Sequence, residues 1–364
     1  MPDASRLVVL AAGGTGGHLF PAQALAQALV GRGWRVVLAT DERAGGFAGA
    51  FPAEEVVELP SATLRARDPA SIIRTASTIG RGIALGRRVL QRLEPAIVVG
   101  FGGYPSVPAL LAAVSLGRRT LVHEQNAVLG RANRLLAPLV TQVATGFDGL
   151  EKASPRVAAR RVTVGNPVRP EIRALAGLPY APPTDELRIL VTGGSQGARL
   201  LSETAPRALA ALPEAVRLRL RVDQQARPES ADAARSVYAD ALIGAEVSPF
   251  FRDMAARLAR AHLVIGRSGA STVTELMVAG RPSILVPLGV ALDDDQGRNA
   301  AVLTAAGAAE VILEADLTVE RMCAAVGTLI ASPARLSAMA GAAASLARPD
   351  AADRLADLVE QVAR

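Results

Sequence analysis

Short apolar runs, each closed by a glycine-rich or polar turn, alternate along this chain with stretches in which apolar residues return every three or four positions. Arg6–Ala12, Trp34–Ala39, Ala96–Gly100, Thr120–His123, Leu187–Thr192, Ala261–Ile265 and Ser283–Pro287 are of the first kind. Runs this short and this continuous predict parallel strands buried on both faces. From Pro21, Ala22, Leu25, Ala26 and Leu29 fall on one helical face, with Gln23 and Gln27 between them. Strand, turn and helix in repetition predict an α/β protein.

The turns carry the candidate chemistry. Gly13-Gly14-Thr15-Gly16-Gly17 places four glycines in five positions between a strand and a helix. Such a turn lets backbone N–H groups approach a ligand and aims a helix N-terminus at it, which suits a phosphate; the alternative is a tight turn with no ligand. Phe101-Gly102-Gly103-Tyr104-Pro105-Ser106 and His123-Glu124-Gln125-Asn126 repeat the arrangement at later strand ends, where open sheets bind ligands. His123 reads equally as a hydrogen-bonded core histidine. Gly193-Gly194-Ser195-Gln196-Gly197 repeats the opening device 180 residues on, after a proline-marked connector that runs to about Leu187. Recurrence at half the chain length predicts two similar domains facing one another, with a ligand in the cleft between them.

In the second half, Gly266 to Glu275 (GRSGASTVTE) turns from strand to helix. Ser271 or Thr272 is placed to cap that helix, with Arg267 at its mouth. Glu275, a turn further in, either receives sugar hydroxyls or merely complements the helix dipole. Asp293-Asp294-Asp295 could hold a divalent cation on a diphosphate, but acids also suit the helix start that follows.

Residues 64–93 form a different segment. Ile72, Ala76, Ile79, Ile83, Gly86, Leu90 and Leu93 share one face, and Arg74, Arg81 and Arg88 repeat on the other with Arg87 and Arg92. This is either an ordinary solvated helix or a surface that meets anionic lipid headgroups or a lipid pyrophosphate. The formal charge of +6 fits anionic partners, but three tyrosines and one tryptophan leave little for base stacking, so nucleic acid ranks last. A single cysteine, Cys323, argues against a disulfide or cysteine metal site. No apolar run reaches the roughly 18 residues of a membrane span, and the first run leads into a glycine turn rather than a signal cleavage site. These features describe a soluble protein of a reducing compartment.

Two enzyme classes fit. A nicotinamide-dependent oxidoreductase would place a ribose on the acids Asp41-Glu42 after the second strand, although the glycine doublets match the dinucleotide fingerprint poorly. The other class follows from seven ordered motifs: GGTGGH (13–18), FGGYPS (101–106), HEQN (123–126), GNPVR (165–169), GGSQGA (193–198), RSGA (267–270) and DQGRNA (295–300). Together they resemble the MurG family of peripheral membrane glycosyltransferases. The resemblance implies a GT-B fold of two Rossmann-like domains whose parallel sheets face across a cleft: residues 1–165 facing acceptor and membrane, 166–345 binding the donor, and a C-terminal helix at 346–364 packing back on the first domain. It implies inverting transfer of GlcNAc from UDP-GlcNAc to the 4-hydroxyl of undecaprenyl-pyrophosphoryl-MurNAc-pentapeptide (lipid I), giving lipid II. No cofactor or metal is implied. Partners would be donor, acceptor, an anionic membrane surface on the cytoplasmic face of the inner membrane, and cell-wall or division proteins.

Carried over residue by residue, the family's donor site maps to Thr15, Gly16, Gly17, Asn126, Arg169, Ser195, Phe251, Ala270, Ser271, Thr272, Val273, Thr274, Glu275 and Gln296. Glu275 would hold the ribose and the backbone near Phe251 the uracil. Asp295 stands where relatives often carry His or Gln, and Thr63–Asp68 lacks a glycine-lysine pattern, so neither is assigned a contact. His18 is the expected general base; it could instead orient the acceptor pyrophosphate. Glycine-turn N–H groups with Arg169 or Arg267 are expected to receive the departing diphosphate.

Overall fold

The structure, a computed structural model, describes residues 6–13, 16–41, 51–62, 68–194, 197–289 and 293–364. The chain forms two compact units, Met1–Arg169 with Asp350–Arg364, and Pro170–Pro349.

In the first unit the strands are β1 (Leu7–Ala11), β2 (Arg35–Thr40), β3 (Glu55–Glu58), β4 (Ile97–Gly100), β5 (Arg119–Glu124), β6 (Gln142–Thr145) and β7 (Arg161–Thr163). They lie in the order β3-β2-β1-β4-β5-β6-β7, with β1 parallel to both neighbours (Val8 opposite Val36 and Ile97). The β1 run is continuous because both faces are covered. Val8 and Leu10 pack with Leu25 and Leu29 of α1 (Gly16–Gly31), whereas Leu7 and Val9 pack with Leu90 of α2 (Pro69–Leu93) and Leu110 of α3 (Ser106–Ser115).

The C-terminal helix Ala351–Ala363 belongs to this unit. Its Leu355, Leu358 and Val359 enter the α1-side core, Arg32 bonds Asp357 at 2.6 Å, and Trp34 donates its indole N–H to Glu360 at 3.0 Å. Helix α2 buries its expected apolar face only in its second half. There Gly82 and Gly86 let it close on its neighbours: a Cβ at Gly82 would stand 2.1 Å from the Pro60 carbonyl, and one at Gly86 3.1 Å from Ala112 Cβ. Ile72 and Ile73, in the first half, remain 46% and 69% exposed.

The second unit repeats the plan with β8 (Leu187–Thr192), β9 (Leu220–Gln225), β10 (Gly244–Ser248), β11 (Leu263–Gly266), β12 (Ser283–Leu285) and β13 (Ala309–Val311), ordered β10-β9-β8-β11-β12-β13. The segment expected as a loop-like connector is packed onto this unit instead. Residues Pro170–Arg173 are helical with Ile172 buried, and Tyr180 donates its hydroxyl to the His262 carbonyl at 2.9 Å while Arg281 lies over its ring. Among the described residues no single helix is long and apolar enough to cross a membrane.

Candidate functional site

In both sheets the strand order reverses beside the first strand, between β1 and β4 and between β8 and β11. Loops leaving such a pair diverge and open a crevice above the strand ends. In the first unit this crevice receives the glycine turn after β1 and Phe101–Pro105 after β4. Helix α1 begins at Gly16 rather than near Pro21, so Gly16, Gly17 and His18 form its first turn, where N–H groups lack intrahelical acceptors. Glycine concealed this turn from the apolar pattern. At Gly16 a Cβ would stand 2.8 Å from the Phe20 ring.

The His18 imidazole rests on the second glycine turn. Gly102 and Gly103 adopt φ of +83° and +69°. A Cβ on Gly103 would lie 3.1 Å from His18 Cδ2 and 3.3 Å from Nε2, and one on Gly102 3.5 Å from Cε1. These two glycines therefore serve both the turn and the ring. On its other side His18 Nδ1 lies 3.2 Å from Gln125 Oε1. Gln125 Nε2 is 3.0 Å from the His123 carbonyl and 3.1 Å from His123 Nδ1, and His123 Nε2 is 2.9 Å from the Gly165 carbonyl. Asn166 donates to the Gln125 carbonyl at 2.9 Å. His123 is fully buried against Phe101; burial pushes its pKa down to about 4 against the opposing pull of the Gly165 carbonyl, so it stays neutral.

Glu124 is buried as well, and its carboxylate is met by four donors. Oε1 accepts from the backbone and side-chain N–H of Asn126, each at 3.0 Å; Oε2 accepts from Gly130 N and Asn133 Nδ2, each at 2.9 Å. The loop bearing Asn126 is thereby fixed. Arg169 closes the group with its guanidinium 5.0 Å above the Phe20 ring. Four motifs separated by up to 150 residues thus meet at one sheet edge: GGTGGH, FGGYPS, HEQN and GNPVR.

In the second unit Gly193 and Gly197 make the corresponding turn. A Cβ at Gly193 would fall 2.2 Å from Ala198 N, and Gly197 has φ +68°. Gln225, at the end of β9, holds this turn: its Oε1 accepts from Thr192 Oγ1 at 2.9 Å, and its Nε2 donates to Gly194 O and Pro249 O at 3.1 and 3.2 Å. Sequence reasoning missed Gln225; the signal was a glutamine pair ending an otherwise alternating strand. Phe251, which follows Pro249, is buried beneath Arg257, whose guanidinium lies 3.7 Å from the ring and pairs with Asp223, Glu246 and Asp253.

Two expectations change here. The helix Ala270–Ala279 is preceded by Gly269, with no side-chain cap, so Ser271 and Thr272 are helical residues rather than its N-cap. Ser271, Thr272 and Glu275 are half-buried, while Ala270, Val273 and Thr274 are buried, the Thr274 hydroxyl donating to the Ala270 carbonyl at 2.8 Å. Arg267, expected at the mouth, is 8% exposed and turned inward. It donates to the Val286 and Pro287 carbonyls at 3.0 and 3.1 Å and to both Glu314 oxygens at 3.1 and 3.2 Å. Burial alone would raise the Glu314 carboxyl; the Gly289 N–H and Arg267 hold it below the ordinary carboxylate range.

Gln296 joins this edge: its carbonyl accepts from Ser268 Oγ at 2.8 Å and its Oε1 from Leu288 N at 3.1 Å. The helix Asp295–Ala305 begins within the aspartate run, and Asp294 pairs with Arg298 at 3.4 Å. Among the described residues no three or more His, Cys, Asp or Glu side chains cluster as metal ligands. Thr15, Ser195, Glu42 and most of the Thr63–Asp68 loop lie outside the described residues. Asp41, the other candidate ribose acid of the nicotinamide reading, is buried; a Cβ on Gly13 would stand 3.2 Å from its Oδ1, and Ser61 lies 3.4 Å from its Oδ2.

Comparison with known proteins agrees with this geometry. Residues 8–145 match the glycosyltransferase family 28 N-terminal domain and residues 188–355 its C-terminal domain. A UDP-N-acetylglucosamine--N-acetylmuramyl-(pentapeptide) pyrophosphoryl-undecaprenol N-acetylglucosamine transferase of Phenylobacterium zucineum is 60% identical over 99% of both chains. One of the same name from Caulobacter vibrioides is 59% identical over 99% of this chain and 100% of its own. The crystal structure of Acinetobacter baumannii MurG is 31% identical and superposes with a TM-score of 0.79 over 98% of this chain and 99% of the other. Two Rossmann-like domains in succession are the GT-B architecture. The chain therefore belongs to glycosyltransferase family 28 and, within it, to the MurG family.

Proposed function

We infer that this enzyme transfers N-acetylglucosamine from UDP-GlcNAc to the 4-hydroxyl of lipid I, forming lipid II in peptidoglycan synthesis with inversion at the sugar C1. The observation that carries this is full-length identity of 60% to a transferase whose name states donor and acceptor. Inside that frame the geometry suggests how labour is divided. In the second unit, Glu275 is assigned to the ribose, the backbone at Phe251 to uracil, and the Gln296 amide to the sugar. The first-turn N–H groups of Ala270–Ala279, with Ser271 and Thr272 beside them, and the turn carrying Ser195 are assigned to the diphosphate; Val273 and Thr274 shape the helix beneath. In the first unit, Thr15, Gly16, Gly17, Asn126 and Arg169 are assigned to substrate, and His18 to proton removal.

The chemistry is one displacement. His18 Nε2 takes the acceptor 4-hydroxyl proton, the oxygen attacks C1 of GlcNAc, and the C1–O bond to the β-phosphate breaks with its electron pair leaving on UDP. One helix terminus contributes only about 0.3–2 kcal/mol toward that charge. Arg267 is matched by Glu314, and we assign that charge to several turn N–H groups together with Arg169, whose guanidinium lies over the Phe20 ring. For location we propose a peripheral site on the cytoplasmic face of the inner membrane, where Ile72 and Ile73 and the exposed Arg74, Arg81 and Arg88 of α2 would meet anionic lipid. Cell-wall or division proteins are proposed as its neighbours there.

Radiolabelled GlcNAc transfer to a lipid I analogue tests the reaction. Acceptor-dependent UDP release is expected, and a protein that NADH but not UDP-GlcNAc protects from melting would revert to the oxidoreductase reading. His18→Ala should lower kcat by about a hundred- to ten-thousandfold with the donor KM unchanged.

A further inference from the structure

The three histidines of the chain can each be assigned a tautomer from their partners. A carbonyl only accepts, so His123 must carry its proton on Nε2, 2.9 Å from the Gly165 oxygen. Its burial keeps a second proton off, which leaves Nδ1 as an acceptor facing Gln125. The Gln125 amide then has one permitted orientation. Its NH2 lies against two acceptors, His123 Nδ1 and the His123 carbonyl, and a flipped amide would set oxygen on oxygen at 3.0 Å. Oε1 is consequently directed at His18 Nδ1, 3.2 Å away, and an amide oxygen calls for a donor there.

We propose that Gln125 and His123 are positioning residues that hold His18 in its Nδ1–H tautomer, so that the Nε2 lone pair is available to take a proton. The consequence for the reaction rests on reading His18 as the general base; the tautomer assignment does not. Among the described residues, no other hydrogen bond is made by the His18 ring. The ring is seated on Gly102 and Gly103, and Asn166 and Gly165 anchor the relay's far end through the Gln125 carbonyl and His123 Nε2. A proton arriving at Nε2 leaves an imidazolium whose Nδ1–H still rests on Gln125 Oε1, so the amide serves the ring before and after transfer. A neutral amide does this without placing a negative charge beside the departing UDP. The orientation logic is that of the third member of a catalytic triad, built here from an amide and a second histidine.

His262 supplies an internal contrast. Its Nδ1 accepts from Arg188 N at 2.9 Å, so it too carries its proton on Nε2. Free neutral imidazole also favours Nε2–H, which makes His18 the exception among the three.

The test is 15N NMR of the full-length enzyme labelled at histidine, at a pH where the rings are neutral. Two Nε2–H rings and one Nδ1–H ring are expected, the last disappearing in His18→Gln. In Gln125→Met the His18 ring should revert toward Nε2–H. There kcat should fall about ten- to a hundredfold with donor KM unchanged, less than the ~10⁴ a wrong tautomer costs a serine protease, because the ring is released rather than inverted. A wild-type His18 in the Nε2–H form overturns the proposal whether or not any variant folds. Gln125→Met with unchanged tautomer and kcat overturns it as well. Full turnover in His18→Ala would remove the base role yet leave the tautomer assignment standing, so the two failures are distinguishable.

Discussion

Replacing Gly103 by alanine separates the turn it makes from the ring it seats. Two effects are superimposed at that position. The first is backbone strain: at φ +69° an L-residue costs roughly 1–2 kcal/mol. The second is contact: the new Cβ would lie 3.1 Å from His18 Cδ2, where ordinary carbon contacts are about 3.5–4.0 Å, so the ring must retreat by about 0.5 Å. A misplacement of about 1 Å costs on the order of a hundredfold in rate, so a shift of half that should lower kcat about tenfold. Gly33 supplies the control. It has φ +81°, and a Cβ there meets no atom within 4 Å, so Gly33→Ala carries the strain without the contact. Both variants should lose about 1–2 kcal/mol in urea unfolding. Only Gly103→Ala should lose kcat in the radiolabelled transfer assay, with donor KM held. If Gly103→Ala turns over as fast as Gly33→Ala, the position of the His18 ring is immaterial and the assignment of that ring to the chemistry fails.

Four further outcomes follow from the same structure. Arg74, Arg81 and Arg88 replaced by glutamate should weaken sedimentation with phosphatidylserine vesicles about a hundredfold or more, at ~1 kcal/mol per basic residue; equal binding would return α2 to an ordinary solvated surface. Leu355→Ala, which empties a buried position between the C-terminal helix and α1, should cost about 2–5 kcal/mol, read from the fluorescence of Trp34 in that unit; an unmoved midpoint would show the helix to be an appendage. His123 binds a proton in the unfolded chain below its ordinary 6.5 but in the folded protein only near 4. Stability should therefore fall between those limits as pH drops, by up to about 1.4 kcal/mol per pH unit, and His123→Leu should flatten that slope; parallel profiles would refute the buried neutral ring. Excess EDTA should leave transfer unchanged, because Asp294 already faces Arg298; loss of activity rescued by Mg²⁺ would reinstate the aspartates as a cation site.

The chain's local order was legible wherever one residue type dictated one conformation. A buried apolar run ending in glycines specifies a strand and its end without reference to anything distant, and β1, β4 and β8 lie where the pattern put them. The misreadings share a different cause, a partner far away in sequence. Arg267 read as a phosphate ligand because Glu314, which neutralises it, lies 47 residues further on. The apolar face of α2 looked continuous because the residues that cover only its second half come from elsewhere, among them Pro60, Pro108 and Ala112. The proline-rich connector looked free because Tyr180 finds its acceptor at His262. Helix α1 lost its first turn to glycine, whose low helix propensity hid it from the pattern.

The repeated strand order lets the two halves be compared position by position. Gly100 and Gly266 both end the fourth strand of their sheets, pairing with Ala11 and Thr192 at the ends of the first strands. Two residues beyond them stand Gly102 in one unit and Ser268 in the other. Gly102, with Gly103, leaves the crevice floor bare, and an imidazole fills it. Ser268 occupies the equivalent place with a side chain that donates to the Gln296 carbonyl. Among its described residues the second crevice has a helix terminus but no imidazole seated in it, His262 accepting from Arg188 N at the opposite end of β11. The first has both terminus and ring, and the ring is held at Nδ1. On the proposed mechanism, one architecture used twice yields a proton acceptor only where glycine replaces a side chain at the switch point.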